Sequence, residues 1–504
     1  MIGKYELMKV QNGKVAIATL CLSAGFLIVN SCSRERKSTH PNVIYIMTDQ
    51  QSYNMMSCTG NTWLRTPNMD RIAKMGYRFN KAYCVNAVSM PSRFSLLTGH
   101  YASEVGVKEN TSAYDTAEVK KIISTDALGN IFRKAGYETF YSGKTHLYGT
   151  NDVSEYGFSL HGKDPYQGPA NFAETILPEL ADSKSDKPFF LFLSFMNPHD
   201  ICYKAGADKR FPDKLPKDKV RETERLLAVQ KTLVKAEYQN QIPPLPENLQ
   251  PINGEQPDMV SMDTMSRSWD REQWNLYSWM YYRLTESVDA QIGKVLNALK
   301  KSGLEKSTII VFTSDHGDMH GAHQLILKNV MFEECQRIPF MFAGNGIKQN
   351  YVDTTTLVCN GLDFLPTICD LAGIQYPKDL PGISLKPYLT GKGEKPQRQY
   401  IITEGYNADQ ISNGRYKYTI YELPDYPELL TDLQVNPGET MNYANDPAYS
   451  EIKTTLKKEL MLNLDHRGLT PLPEDRTIEN IRAMEKSKRM VKKKNKKSNE
   501  ESDD

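Results

Sequence analysis

Several short runs of apolar residues lie along the chain, and each is followed within one or two positions by polar or charged residues. Residues 41–47, 188–195 and 308–313 are almost continuously apolar, without the alternation of a half-exposed strand. Continuous runs of this length are typical of strands that are buried on both faces of a parallel sheet. Residues 139–143, which end in a glycine, are also predicted to form a strand. The pattern therefore predicts an α/β fold.

Residues 269–300 have a helical period instead. Apolar side chains recur there at intervals of three and four, which indicates a helix with one face in the core. These side chains are Leu284, Val288, Ile292, Val295, Leu296 and Leu299. Proline and asparagine predict a helix start in residues 66–73. Residues 201–270 are charged, rich in proline and poorly periodic, so we expect a long insertion over a cleft.

From about residue 399 the pattern changes to short alternating segments. Antiparallel strands are predicted at residues 400–403, 416–421 and 430–433, followed by a helix at residues 450–464. We therefore predict a small C-terminal α+β subdomain at residues 399–473. The tail at residues 474–504 is rich in lysine and then in acidic residues, a composition that predicts disorder and gives little support for a role with nucleic acid.

The N-terminal segment, residues 1–32, has the order of an export signal. Lysines precede an apolar run at residues 15–29, which is short for a membrane span and suits the central part of a signal peptide. Small residues before Cys32 resemble a bacterial lipoprotein signal, in which the cysteine becomes the lipidated N-terminus. The segment predicts export, to the periplasm or the cell surface, with a lipid anchor at Cys32. Plain secretion and an uncleaved anchor helix are the alternatives.

Charge and cysteine content exclude several classes of protein. The 62 basic and 61 acidic residues give a net charge of +1, so no global field favours nucleic acid. The eight cysteines are scattered and form no C-x-x-C pair, which argues against a zinc ribbon or a disulfide framework. With 504 residues, the chain can form one large domain and a smaller one. We place a tether at residues 33–40 and the large domain at residues 41–398.

Metal-binding side chains follow two of the predicted strands. Asp49 and Gln50 come after the first strand, and Asp315 and His316 come after the strand at 308–313. The carboxyl ends of parallel strands are where α/β sheets bind ligands, and hard oxygen ligands suit Ca²⁺ or Mg²⁺. The alternative for Asp49 is a cap on a turn. A zinc site is a second interpretation of the later segment, because two more histidines, His320 and His323, follow closely.

Residues 89–99 have the order Ser-x-Pro-Ser-Arg-x-x-x-Leu-Thr-Gly. Pro91 has the φ angle that suits the first turn of a helix. Ser89 would then lie close to unpaired backbone N–H groups and the positive end of the helix dipole. Arg93 adds a planar cation that suits the oxygens of a sulfate or phosphate ester. From these residues alone, Ser89 is more simply a helix N-cap than a nucleophile.

This order closely resembles the signature of the formylglycine-dependent sulfatases, whose first residue, Cys or Ser, is oxidised after translation to an aldehyde. The resemblance implies that a maturation enzyme converts Ser89 to formylglycine (3-oxoalanine). Cys84 lacks the Pro-Ser that the signature requires after its first residue. Other segments between about residue 42 and about residue 445 follow the family's order. They imply its alkaline phosphatase-like fold, a large mixed, mostly parallel sheet flanked by helices.

The resemblance also assigns roles at the predicted strand ends. It implies one Ca²⁺ ion held by Asp49, Gln50, Ser89, Asp315 and His316. It implies that Arg93, Lys144 and Lys328 stabilise the sulfate, that His146 contacts the formylglycine hydroxyl, and that His199 lies near the leaving oxygen. Read in isolation, Lys144 and His146 are surface charges and His199 is a structural histidine. The chain departs from the family's usual residues at Gln50 (Asp), His100 (Arg), Thr145 (Trp) and His316 (often Asn).

In the implied reaction, one hydroxyl of the aldehyde hydrate at Ser89 attacks sulfur and gives a covalent sulfo-enzyme. His146 or a neighbour deprotonates the other hydroxyl, which expels sulfate, and His199 is the candidate acid for the leaving alcohol. Export and the long insertion, which we expect to shape substrate choice, favour a sulfated glycan from mucin or glycosaminoglycan over a small aryl sulfate. The alternatives are a phosphate or phosphonate ester hydrolase on the same fold, and a non-catalytic glycan-binding lipoprotein.

Overall fold

The structure is a computed structural model that describes residues 40–110, 117–148, 152–183, 185–202, 242–250, 266–406, 408–421 and 428–469. The predicted signal, nearly all of the tether, most of the insertion and the C-terminal tail lie outside the described residues, so those predictions stay predictions. None of the described helices is both long enough and apolar enough to cross a membrane.

Strands and helices alternate through the first part of the chain and give way to hairpins in the last part. The described strands are β1 Asn42–Asp49, β2 Gly76–Tyr83, β3 Glu138–Gly143, β4 Ser159–Leu160, β5 Phe189–Pro198, β6 Thr308–Ser314, β7 Phe340–Gly344, β8 Tyr351–Cys359, β9 Ile401–Glu404, β10 Ala408–Ser412, β11 Tyr416–Tyr421 and β12 Glu428–Asp432. The described α-helices are α1 Pro67–Met75, α2 Ser89–Thr98, α3 Ala117–Asp126, α4 Leu128–Lys134, α5 Gly168–Asp182, α6 Arg271–Lys301, α7 Glu333–Gln336, α8 Asn360–Ala372, α9 Lys386–Thr390 and α10 Ser450–His466.

The large sheet has eight described strands, in the order β4-β3-β5-β1-β6-β7-β2-β8. β1 pairs in parallel with both of its neighbours, β5 and β6, and β3 pairs in parallel with β5. β7 runs antiparallel to its neighbours, β6 and β2. The sheet is therefore mixed and mostly parallel, which confirms the predicted fold class.

Helices cover both faces of β1. Val43, Tyr45 and Met47 belong to a core cluster shared with α2 and α8, whereas Ile44 and Ile46 belong to a cluster shared with α1, α5 and α6. Successive side chains of a strand point to opposite faces of the sheet. Because each face is buried, every position of this strand needs an apolar side chain, and the alternation of a half-exposed strand is missing from the sequence.

The C-terminal strands form a second sheet, which is antiparallel and has the order β12-β11-β10-β9. α10 packs on it through Leu456, Leu460 and Leu464. This arrangement confirms the predicted α+β fold of the C-terminal part, while its limits at residues 399 and 473 remain predictions. Sequence analysis missed β10, because its buried Gln410 is polar; Nε2 of Gln410 donates to Thr419 at 2.6 Å and to the carbonyl of Met331 at 2.9 Å.

Candidate active site

The carboxyl ends of four parallel strands meet at one edge of the large sheet. Thr48 of β1 lies opposite Ser314 of β6, and Gly143 of β3 lies opposite Ser194 of β5. Parallel pairing therefore brings the polar residues at or just beyond these strand ends side by side. They are four of the predicted site residues: Asp49, Lys144, His199 and Asp315.

Ser89 begins α2 and faces His316. Its Oγ lies 3.0 Å from Nε2 of His316. The other ring nitrogen, Nδ1, lies 2.9 Å from the carbonyl oxygen of Gly317. A carbonyl only accepts hydrogen bonds, so Nδ1 carries the proton and the Ser89 hydroxyl donates to Nε2. The N-cap of α2 is Val88, which makes no side-chain capping bond. The interpretation of Ser89 as an N-cap is therefore wrong.

Arg93 lies one turn further along α2, and its side chain is 1% exposed. Its Nη2 donates to Oδ2 of Asp49 at 2.6 Å, and its Nε donates to Oδ2 of Asp315 at 3.0 Å. Its Nη1 donates to the hydroxyl of Ser194 at 2.8 Å and to the carbonyl of Lys144 at 3.2 Å. The guanidinium therefore joins two carboxylates to each other, and in this structure it holds them rather than facing open solvent.

Lys144 and His146 follow β3 in one turn. Nζ of Lys144 lies 2.6 Å from Oδ2 of Asp49. Burial lowers the pKa of Lys144, and Asp49 partly offsets this effect. His146 has a left-handed backbone, with φ of 44°. Burial and the charge of Lys144 lower the pKa of His146 to about 3, so its imidazole is neutral at physiological pH and can accept a proton.

His199 lies near Asp49, and Lys328 contacts the neighbouring Gln50. Nε2 of His199 is 4.0 Å from Oδ1 of Asp49, and Nζ of Lys328 donates to Oε1 of Gln50 at 2.6 Å. Burial, together with the charges of Lys144 and Lys328, holds the pKa of His199 well below its usual range. Without an added anion, His199 is therefore neutral.

Three of the predicted metal ligands form one compact group. Ligand atoms of Asp49, Asp315 and His316 all lie within 4.8 Å of one another, and the three residues are buried. Oδ1 of Asp49 is buried and has no hydrogen-bond partner among the described residues. Burial by itself would raise the pKa of Asp49, but Lys144, His199 and Arg93 hold it well below its usual range. Burial and the charge of Asp49 raise the pKa of Asp315 to about 7.

This group suits a divalent cation. Two adjacent buried carboxylates repel each other, and a cation between them removes that cost. Carboxylate oxygens suit Ca²⁺ or Mg²⁺, whereas an imidazole nitrogen is also common around Zn²⁺. The residues present therefore fit a bound metal, and their chemistry alone leaves its identity open.

The main chain of Gln50 lies next to the group formed by Asp49, Asp315 and His316. Its N–H donates to Oδ1 of Asp315 at 3.1 Å, and its carbonyl accepts from the hydroxyl of Tyr281 at 2.6 Å. Its side-chain amide contacts Lys328 on one side and, through Nε2 at 2.6 Å, Oδ2 of Asp318 on the other. The predicted ligand Gln50 is thus adjacent to the group, with its amide held between two charged residues.

The remaining histidines of the segment do not join this group. Nε2 of His320 lies 3.0 Å from the hydroxyl of Ser278 in α6, and His323 stacks on Phe332 with ring centroids 4.1 Å apart. Both His320 and His323 contact the core rather than the carboxylates. Of the three histidines in this segment, His316 alone therefore belongs to the candidate metal group. His100 lies beyond the far end of α2, with Nε2 2.8 Å from Oδ2 of Asp126.

Sequence reasoning did not identify several residues that hold the site. Ser194 contacts Arg93, Tyr281 and Asp318 contact Gln50, and Cys202 donates a weak bond from Sγ to Oε1 of Gln50 at 3.2 Å. Ser194 is a polar residue inside an otherwise apolar run, which is a usable signal. Asp318 lies in the dense polar segment that sequence analysis had already singled out. Tyr281 lies in a helical repeat and gives no signal of its own.

Comparisons with known proteins agree with this geometry. Residues 41–374 match the family model described as sulfatase, and residues 321–466 match the model described as N-sulphoglucosamine sulphohydrolase, C-terminal. A Delta 4,5-hexuronate-2-O-sulfatase of Bacteroides thetaiotaomicron is 30% identical over 82% of this chain and 86% of that protein. An N-acetylglucosamine-6-O-sulfatase of the same organism is 29% identical over 89% of this chain and 90% of that protein. The solved structure of a 2-O GAG sulfatase has a TM-score of 0.71 and 28% identity, over 85% of this chain and 93% of that one.

Proposed function

This chain belongs to the sulfatase family and is a sulfuric ester hydrolase, and we propose that it acts on sulfated carbohydrates of glycosaminoglycan or mucin glycans. The observation that supports sulfate-ester chemistry at this site is the position of Ser89, whose Oγ lies 3.0 Å from His316, a member of the group with Asp49 and Asp315. Two relatives that align over more than four fifths of the chain are named as hexuronate and N-acetylglucosamine sulfatases. Their names support a sugar sulfate as the substrate class.

The proposed nucleophile is formylglycine, made by oxidation of Ser89. In its hydrated form this group would supply two geminal hydroxyls, one as the nucleophile toward sulfur and one as the source of the proton that is lost when sulfate leaves. The start of α2 places residue 89 beside His316 and one turn before Arg93. The positive end of the helix dipole also favours a negatively charged sulfate there.

The proposed metal is one Ca²⁺ ion, held by Asp49, Asp315 and His316 with Gln50 and residue 89 as further ligands. The open Oδ1 of Asp49 supports this assignment, since a buried carboxylate oxygen without a donor is costly. Ca²⁺ would neutralise the two carboxylates and polarise a bound sulfate oxygen. Lys144 and Lys328 would add positive charge on the substrate side of the same group.

The two neutral imidazoles have different proposed roles. His146 is neutral because burial and Lys144 lower its pKa to about 3, so one ring nitrogen can accept a hydrogen bond from the hydroxyl of residue 89; a bound sulfate would offset the charge of Lys144 and make that nitrogen more basic. His199 is also neutral in the structure, because burial, Lys144 and Lys328 lower its pKa. A bound sulfate ester would offset those two charges and allow His199 to carry the proton that the leaving alcohol needs.

We further place the enzyme outside the cytoplasm, anchored by lipid at Cys32. Its partners would be a sulfated glycan and the host enzyme that oxidises Ser89. This part of the proposal depends on the order of residues 1–32.

The mass of the peptide that contains residue 89 tests the nucleophile. After expression with a serine-competent maturation enzyme, we expect this peptide to be lighter by two hydrogen atoms, because the serine alcohol has become an aldehyde. In parallel, we expect sulfate release from an aryl sulfate to be well above phosphate release from the matched aryl phosphate. Ser89→Ala is the control and should have no activity. Full activity with an unmodified serine, or in Ser89→Ala, would refute the formylglycine mechanism, and faster phosphate release would favour the phosphate or phosphonate alternative.

A panel of sulfated mono- and disaccharides tests the substrate class. We expect turnover of at least one 2-O- or 6-O-sulfated sugar, with higher kcat/KM than any aryl sulfate. Activity restricted to aryl or choline esters would contradict the carbohydrate assignment. Saccharide binding without turnover by protein whose residue 89 is fully oxidised would favour the glycan-binding alternative.

A further inference from the structure

Gln50 is fully buried and its main chain is held in a costly conformation. Its φ is 68°, in the left-handed region that side chains other than glycine rarely adopt. Its N–H donates to Oδ1 of Asp315 at 3.1 Å, and its carbonyl accepts from Tyr281 at 2.6 Å. Both ends of the residue are therefore fixed, and the remaining freedom is the orientation of the side-chain amide.

Two charged residues choose that orientation. Nζ of Lys328 lies 2.6 Å from one amide atom, and Oδ2 of Asp318 lies 2.6 Å from the other. An ammonium group only donates hydrogen bonds and a carboxylate only accepts them. The atom facing Lys328 must therefore be the oxygen and the atom facing Asp318 must be the NH₂ group.

Asp318 is itself held by neutral donors. The hydroxyl of Tyr277 lies 3.1 Å from both carboxylate oxygens, and the N–H of His320 donates to Oδ1 at 2.7 Å. Asp318 is fully buried, and no described lysine or arginine forms an ion pair with it. A buried carboxylate with no such partner is expensive. Its cost is understandable if the negative charge is needed to hold the amide of Gln50.

We propose that Asp318 is a positioning residue that orients Gln50, so that the amide oxygen, not the NH₂ group, faces Lys328 and the cation site. The inference rests on the proposed metal site and goes beyond it, because it makes the orientation of the Gln50 amide depend on Asp318. A carboxylate at position 50 would lie against the carboxylate of Asp318. The glutamine, where the family more often has aspartate, is thus the residue that Asp318 accepts.

The substitution Asp318→Asn should disturb the amide without a large change of shape. The N–H of His320 requires an acceptor, so the new amide turns its oxygen toward His320 and its NH₂ group toward Gln50. Two NH₂ groups then face each other, and Gln50 can escape only by turning its own NH₂ group toward Lys328. We expect Ca²⁺ affinity to fall by about 10–100-fold, the usual effect of losing a partner that orients a metal ligand.

Adding Gln50→Glu to Asp318→Asn should restore the pairing. The introduced carboxylate accepts from the new amide on one side and from Lys328 on the other. We expect the double variant to bind Ca²⁺ at least about tenfold more tightly than Asp318→Asn alone. Gln50→Glu by itself measures the effect of the added charge, and in the wild-type background it should give a smaller gain or a loss.

Calorimetric Ca²⁺ titration of the four proteins, with residue 89 left as serine, makes this test independent of activity. Urea unfolding of the same proteins in metal-free buffer gives a second measurement of the coupling. The matched control is Asp353→Asn, since Asp353 is a buried carboxylate in β8 that also accepts from a tyrosine hydroxyl, Tyr77 at 2.7 Å. This variant should lose stability and keep its Ca²⁺ affinity.

If Gln50→Glu has the same effect in both backgrounds, in affinity and in unfolding, Asp318 is only a structural residue and the inference is overturned. Coupling in unfolding with no Ca²⁺ binding by the wild type would support the pairing and refute the metal in the proposed function. The two proposals therefore fail in different ways.

Discussion

Arg93 with Asp49 and Arg398 with Asp363 are both arginine–aspartate pairs with a fully buried carboxylate, and they differ in how many hydrogen bonds that carboxylate accepts. Asp363 receives four hydrogen bonds: two from the terminal nitrogens of Arg398, at 2.5 and 2.7 Å, and two from backbone N–H groups, at 2.7 and 2.9 Å. Oδ2 of Asp49 lies 2.6 Å from both Arg93 and Lys144, but no described residue donates to its Oδ1.

Asp363, which accepts four hydrogen bonds, links separate parts of the fold, whereas Asp49 has one oxygen left for a ligand. Asp363 in α8 binds the backbone of Cys359 at the end of β8, the backbone of Ile383 in the following loop, and Arg398 shortly before the second sheet. Asp49 has a buried oxygen that accepts no hydrogen bond from a described residue, and basic side chains nearby stabilise the negative charge of this carboxylate. The number of hydrogen bonds that each carboxylate accepts therefore distinguishes these two pairs, which are similar in the burial and charge of the aspartate.

Glu334 also has a buried carboxyl oxygen, and it differs from Asp49 and Asp363 in its protonation. Its Oε1 accepts from Asn248 at 2.8 Å, while its buried Oε2 has no partner among the described residues. Burial and the charge of Glu439 raise the pKa of Glu334 to about 7. Where Asp49 remains charged because Lys144 and Arg93 are close, Glu334 keeps its proton up to about pH 7.

Filling the open position of Asp49 should have the largest effect. In Asp49→Asn the amide oxygen can keep the contacts with Arg93 and Lys144, and the NH₂ group then takes the place that a cation needs. We expect sulfate release to fall by roughly 10³-fold or more. Turnover of an accepted saccharide by the folded variant measures this. A variant that kept more than about a tenth of wild-type activity would show that the open oxygen is not part of the site.

Breaking the pair of Arg398 with Asp363 should affect stability instead. In Asp363→Asn one oxygen of the carboxylate becomes an NH₂ group that faces donors, and Arg398 loses its counter-charge. Removing one partner of a buried ion pair costs about 3–5 kcal/mol. Urea unfolding should show this loss, while kcat/KM per folded molecule should stay near that of the wild type. A large fall in kcat/KM with unchanged stability would contradict the structural role.

Calcium should distinguish the two pairs directly. At a free Ca²⁺ concentration of about 100 times Kd, the free energy of unfolding should rise by about 2.7 kcal/mol. The same increase is expected in Asp363→Asn, and none in Asp49→Asn. Thermal unfolding with and without a chelator measures it. Equal stabilisation of all three proteins would place the cation elsewhere.

The smallest effect should be a change in pH dependence at Glu334. Because its pKa is about 7 in the folded protein and 4.5 in the reference state, the unfolded chain releases this proton first as pH rises. Stability is therefore lost between about pH 4.5 and 7. Glu334→Gln should lack this loss, so its free energy of unfolding should rise relative to that of the wild type on going from pH 4 to pH 8. Parallel pH profiles for the two proteins would mean that Glu334 is not protonated in the folded protein.

Part of the fold was predictable because a strand that is buried on both faces needs an apolar side chain at nearly every position. β1, β3, β5 and β6 were identified from apolar runs, and α6 from its period. β10 was not identified, because it contains a polar residue, Gln410, which can be buried since its amide forms hydrogen bonds with Thr419 and Met331. The short antiparallel β7 was also not predicted, and it is the strand that makes the sheet mixed.

Part of the site was predictable for a similar local reason. Ser89 and Arg93 lie one helical turn apart in a recognisable order, and Asp49 and Asp315 follow strands whose ends meet at one sheet edge. The residue pattern alone could not separate His316 from His320 and His323, since all three lie in one polar segment, and only the family resemblance assigned His316 to the metal. The fold separates them: His316 turns toward Ser89, and the other two turn toward α6 and Phe332.

By itself, the sequence determined strands β1, β5 and β6, the helix that begins at Ser89 and the family to which the chain belongs, because each depends on residues close together along the chain. The tertiary structure alone decided which carboxylate oxygen is open and which amide atom faces Lys328. Those outcomes depend on donors and acceptors far apart in sequence: Arg93 and Asp315 are 222 positions apart, and Gln50 and Asp318 are 268. A hydrogen bond depends on distances of a few ångströms, which only the folded chain sets.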